Sequence, residues 1–180
     1  MTPEATLEQT DAGLAATGDG WFVVNARENR WYHAEGRAAL CDLEGDTSFA
    51  QLGINISVLE PGQSLGLYHW EADQEDFLVL AGEALLLVEE QERPLRQWDF
   101  VHCPPRTKHI VVGAGSGPSV ILAVGARVDS VDNEDWGGYP VSELAAKHGV
   151  GVERETTKPD EAYAAWTRRS PTPYREGWLP

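Results

Sequence analysis

Between residues 51 and 127 the chain repeats one unit, a short apolar run followed by a turn signal. INISVLE stops at Pro61-Gly62, and LGLYHWE stops at an acidic ADQE. DFLVLAG leads into EALLLVEE, RPLRQ precedes WDFVHC, and that run ends at Pro104-Pro105. HIVVGAG ends at GSGPS and is followed by VILAVGA. Runs of about 5–8 residues rich in Val, Ile, Leu and Phe fit β-strands. No helical pattern of about 10–15 residues lies between them, which argues against βαβ units. Many short strands at regular spacing predict an all-β sandwich or barrel.

The flanks differ. Residues 1–20 are small, polar and Gly-spotted and read as a flexible arm. Residues 21–25 (WFVVN) read as a strand, and residues 26–49 have no clear period. The barrel is therefore expected over 21–127, with a C-terminal extension over 128–180. In that extension residues 129–140 read as a polar loop. Residues 141–148 predict a short helix with Ser142 as cap and Gly149 as stop. Residues 159–167 predict another, with Pro159 in the first turn. Tyr174 and Trp178 in the Pro-punctuated tail are expected to pin it to the barrel or to a second copy of the chain.

Composition excludes several roles. At 42% hydrophobic residues, with seven Trp, the chain can build a core. With 14 basic and 29 acidic residues the formal charge is −15, which repels phosphate backbones and anionic membranes, so neither is an expected partner. There is no signal-peptide pattern at the N-terminus and no run of about 20 apolar residues. Cys41 and Cys103 make no disulfide framework. A cytoplasmic location is the expectation.

One cluster carries chemistry. His69 is followed by Glu71 and Glu75, then by Gly82. On a strand, residues 69 and 71 face the same side. Glu75 can arrive from the next strand after a turn or bulge. His109 follows Pro104-Pro105-Arg106-Thr107-Lys108, a turn that can set it at a barrel rim. Cys103 beside His102 reads as a buried structural thiol, with redox or ligand roles as the alternative. Phe77, Val79 and Leu86 read as core, Trp98 as structural, and Arg106 as a rim charge or a carboxylate clamp. Tyr68 and Trp70 should face away from His69.

These residues resemble the motifs of the cupin superfamily. Gly62, His69, Glu71, Glu75 and Gly82 follow its first motif, G-x5-H-x-H-x3-4-E-x6-G, with one extra residue after Gly62 and Glu71 in the place of the second histidine. Trp98, Pro104, Arg106, His109 and Gly113 follow its second, G-x5-P-x-G-x2-H-x3-N, with Trp98 and Arg106 replacing glycines and Gly113 replacing asparagine. The resemblance implies a double-stranded β-helix, a jelly-roll-like barrel, braced by the short C-terminal helices. It implies one divalent metal ion, iron, manganese, nickel or zinc, held by His69, Glu75 and His109, with Glu71 as a fourth ligand, an outer acceptor or a catalytic base. It implies a homodimer and a small-molecule ligand. Three function classes follow: a metal-dependent dioxygenase, decarboxylase or isomerase; a non-catalytic binder of a sugar or small acid; or a metal-free structural cupin.

Overall fold

The computed structural model describes residues 1–128 and 135–180. In chain order its strands are β1 (Thr6–Thr10), β2 (Gly13–Thr17), β3 (Trp31–His33), β4 (Ala39–Asp42), β5 (Leu52–Leu59), β6 (Trp70–Glu71), β7 (Glu75–Ala81), β8 (Glu83–Val88), β9 (Gln91–Arg96), β10 (Phe100–Cys103), β11 (His109–Ala114) and β12 (Ser119–Ala126). The C-terminal part adds β13 (Gly137–Gly138), α1 (Glu143–Lys147), α2 (Pro159–Ala162) and β14 (Ser170–Thr172).

Seven strands form one sheet in the order β10-β7-β12-β5-β4-β3-β14, and β11-β8-β9 form a second. Alternation along the strands builds the core. In β10, Val101 and Cys103 are buried while Phe100 and His102 are exposed. Phe77 and Val79 of β7, Leu86 of β8, Val111 of β11 and Ile121 of β12 meet in one cluster with Cys103. The chain is thus an all-β double-stranded β-helix carrying short C-terminal helices.

Gly82 joins β7 to β8 at φ +74°, and a Cβ there would lie 2.4 Å from the Pro118 carbonyl oxygen, so only glycine fits. Gly113 explains the missing asparagine of the second motif. A Cβ on it would meet the Glu60 carbonyl oxygen at 2.5 Å, and its own backbone bonds to Gly62 and Gln63. Trp98 and Arg106 stand in two motif glycine positions and keep the glycine-type backbone, at φ 74° and 69°. Trp98 is 67% exposed and gains little packing in return. Trp98→Gly is therefore expected to stabilise the fold by about 0.5–1 kcal/mol, the left-handed penalty less the entropy of glycine. A higher urea midpoint at an unchanged denaturant slope is the result to look for.

Several expectations need correction. Residues 1–20 are not a loose arm: β1 and β2 pair over Thr6–Thr17, and Ala15 and Ala16 are buried. The Thr/Ala/Glu composition hides a hairpin whose Thr10–Gly13 turn is closed by the Thr10 hydroxyl. WFVVN forms no strand. Trp21 makes one isolated bridge to Glu4, and Val23 is exposed, because the chain turns at once into the Asn25 loop. LGLYHWE keeps only β6, since residues 65–69 bond to scattered partners, among them Val111, Val150 and Tyr163. The featureless 26–49 segment contains β3 and β4.

The extension is woven into the same body. α1 starts at Ser142, whose hydroxyl accepts from the Ala145 N–H, and ends before Gly149 at φ 70°. α2 is shorter than expected, with Pro159 at its start. Of the expected polar loop, residues 129–134 lie outside the described residues, and Gly137–Gly138 pair with β6. Tyr174 and Trp178 pack on Trp31 at 5.9 and 5.0 Å between ring centroids, so the tail is pinned to its own barrel.

Candidate metal centre

β11 and the segment entering β6 set the two imidazoles side by side. His69 and His109 exchange backbone hydrogen bonds, His69 N–H to the His109 carbonyl at 3.2 Å and the reverse at 2.8 Å. Their rings lie 5.0 Å apart. Each ring is fixed by its own turn. The Nδ1 of His69 lies 2.8 Å from the Leu67 carbonyl, and that of His109 lies 2.9 Å from the Thr107 carbonyl. A carbonyl only accepts, so both Nδ1 atoms carry protons, and both Nε2 atoms point inward as the variable sites.

Glu75 opens β7 and aims its Oε2 between them, 3.3 Å from His69 Nε2 and 3.1 Å from His109 Nε2. The donor atoms of His69, Glu75 and His109 all fall within 4.8 Å of one another. Yet Glu75 Oε2 and His109 Nε2, both buried, have no aligned hydrogen-bond partner. Buried polar atoms are ordinarily paired. A cation seated among these three atoms would satisfy both orphans, and two imidazoles with a carboxylate are a donor set suited to a divalent ion. The residues present fit such a group.

Glu71 stands back from this trio. Its Oε1 is 3.7 Å from His69 Nε2, on the same side as expected, and it lines the adjoining cavity. Burial would lower the His69 pKa, but Glu71 and Glu75 outweigh it and hold it up at about 10. Burial likewise opposes His109, and Cys103 with Glu75 lifts it to about 9. Burial would raise Glu75, yet His109 and His69 pull it well below the usual carboxylate range.

A cavity of about 270 Å³ opens beside the cluster, lined by His69, Glu71, Glu75, Phe77, Tyr139 and Arg169 among others. Phe77 packs 5.3 Å from the His109 ring, and Tyr139 lies 6.0 Å from that of His69. Burial, then Tyr163 and Glu71, push the Tyr139 phenol far above its ordinary value, so it stays protonated. Tyr139, Tyr163 and Arg169 were not singled out by sequence. They lie in the unpatterned C-terminal third, and the Gly137-Gly138 pair before Tyr139 is the one local cue.

The other candidates sort plainly. Cys103 is buried opposite Glu75 in the β10–β7 register, while His102 turns outward to Asp76 at 2.7 Å. Tyr68 is buried in a separate cluster, away from the cavity. Arg106 is a rim charge, its guanidinium bonded to Asp135 and stacked 4.9 Å from the Trp70 ring centroid.

Residues 55–125 match the family model for the cupin domain. No curated protein matches the chain. Among solved structures, a predicted oxalate decarboxylase from Thermotoga maritima aligns at 19% identity with a TM-score of 0.54, covering 59% of this chain and 100% of that one. A sugar phosphate isomerase of the cupin superfamily from Silicibacter pomeroyi DSS-3 is 28% identical over 57% of this chain and 62% of its own, with a TM-score of 0.44. A protein from Acidithiobacillus ferrooxidans ATCC 23270 is 31% identical over 44% of this chain and 52% of its own, with a TM-score of 0.42. The chain thus spans less than two thirds of the length of the last two. The fold and the matched motifs together define residues 55–125 as a cupin domain.

Proposed function

We propose that His69, Glu75 and His109 hold one divalent cation, and that the chain is a metal-dependent enzyme acting on a small molecule in the adjoining cavity. The observation that supports this most is the convergence of two inward Nε2 atoms on Glu75 Oε2, with Glu75 Oε2 and His109 Nε2 buried and close but without an aligned hydrogen bond. When bound, the ion supplies Lewis-acid polarisation of a substrate oxygen. The protein's own groups supply the rest. The Leu67 and Thr107 carbonyls hold both imidazoles in one tautomer. Glu71, beside the cluster and facing the cavity, is placed to take or return a proton. The protonated Tyr139 phenol donates a hydrogen bond to a substrate oxygen. Proton transfer of this kind suits an isomerase or a decarboxylase better than a passive binder. A homodimer belongs to the same proposal, supported by Phe100 exposed on β10 at the edge of the large sheet. Among the described residues no helix is long and apolar enough to cross a membrane, and a cytoplasmic setting is likewise proposed.

The test is a proton count. In the metal-free protein both imidazoles have folded-state pKa values above the ordinary 6.5. Their contribution to stability is full below about pH 6.5 and is lost as pH rises toward about 9 for His109 and about 10 for His69. The melting temperature of metal-free protein is therefore expected to fall across that window. A cation displaces those protons, so zinc binding at pH 7.5 should release about two per chain, with affinity rising as pH rises. Calorimetry in buffers of different ionisation enthalpy reads the count. No zinc binding would sink the proposal, and binding without proton release would show that both Nε2 atoms are already unprotonated at that pH.

A further inference from the structure

The cavity beside the cluster is lined by a cation, Arg169, that no carboxylate among the described residues pairs with. Arg169 directly precedes β14, which pairs with β3 at the edge of the large sheet. Its Nε donates to the Ala38 carbonyl at 2.9 Å, which fixes the guanidinium plane and leaves the two terminal nitrogens for other acceptors. Arg169 lines both the 270 Å³ cavity, with His69, Glu71 and Glu75, and an adjoining cavity of about 410 Å³. Two other partly buried arginines have acids to hand: Arg30 bonds Asp42 and Asp46, and Arg127 bonds Glu44. Among the described residues no carboxylate pairs with Arg169, although the chain has 29 acidic residues against 14 basic ones. Its charged neighbour is instead Arg37, itself stacked on Trp166 at 4.1 Å. Burial, with that like charge, pulls the Arg169 pKa down to about 10, so it is still a cation at neutral pH.

A partly desolvated guanidinium without a counter-ion is costly, and a carboxylate offers both the opposite charge and two acceptors that match its fork. We propose that Arg169 anchors the carboxylate of a small substrate whose uncharged, oxygen-bearing end reaches His69, Glu75 and His109. This rests on the reading of that cluster as the reaction centre. The charges set the orientation. At the cluster end Glu71 and Glu75 balance the two protonated imidazoles, or a divalent ion in their place, whereas Arg169 has no paired acid among the described residues and attracts the anion. The space limits the size, since about 270 Å³ is the volume of about nine water molecules at ~30 Å³ each.

Glycolate, a monocarboxylate with an uncharged hydroxyl end, and its neutral analogue glycolamide test the anchor in metal-free protein, with binding heat and melting temperature as readouts. Wild type is expected to bind glycolate at least tenfold tighter than glycolamide. Arg169→Gln should abolish that preference, and Arg169→Lys should keep part of it. Glycolate should also shield Arg169 of the wild type from phenylglyoxal, read by mass spectrometry, which needs no variant to fold. Equal glycolate binding by wild type and Arg169→Gln, or no shielding, overturns the anchor. Inorganic phosphate binding as tightly as glycolate overturns the carboxylate class. Zinc affinity should be unchanged in Arg169→Gln. A protein that shows the glycolate preference but binds no divalent ion would overturn the metal reading and leave the anion anchor standing.

Discussion

Glu75→Gln is expected to lower the affinity for zinc or cobalt at least 100-fold, beyond the range lost when an outer partner of a metal ligand is removed. Glu75 Oε2 is the atom that both imidazoles face, so the change removes a donor and the charge that balances the cation. His109→Ala should act as strongly on the metal, since it deletes a buried donor whose Nε2 has no other partner. The two variants differ in the metal-free state. Glu75→Gln leaves His109 buried and strips the carboxylate that lifts its pKa, so its titration by NMR should move down from about 9. An unshifted His109 titration would show that Glu75 is not the group holding that proton. Unchanged metal affinity in both variants would remove the cluster from the mechanism.

Trp31→Ala is expected to cost about 3–5 kcal/mol, the range for deleting a large buried aromatic. Trp31 is fully buried, its indole N–H donates to the Ala26 carbonyl at 2.8 Å, and it sits against Tyr174 and Trp178. Its backbone is also in register with Thr172 of β14. The substitution therefore loosens the tail as well as the core, and the 170–180 segment should become the earliest site of proteolysis. An unfolding free energy from urea titration within about 1 kcal/mol of wild type would show that the tail is held by other contacts.

β5, β7, β8, β10, β11 and β12 were legible because each is an apolar run bounded by Pro, Gly or acidic residues, and because most alternate or are buried on both faces. β3 and β4 were not, since three or four residues carry too short a pattern to show a period of two. WFVVN misled for the opposite reason: apolar residues in sequence mean a strand only where a neighbour offers its backbone. In the site, the steps from His69 to Glu75 and from Pro104 to His109 were readable because turns fix them locally. Tyr139, Tyr163 and Arg169 reach the same cavity through tertiary packing of the extension, and no spacing in the chain records that.

The cavity has two authors in the sequence. His69, Glu71, Glu75 and His109 all lie inside the 55–125 cupin domain, while Tyr139, Tyr163 and Arg169 come from beyond it. What would grip an ion and what would choose its companion are thus carried on separable stretches of chain. Drift in the second stretch can retune the guest while the first stays untouched.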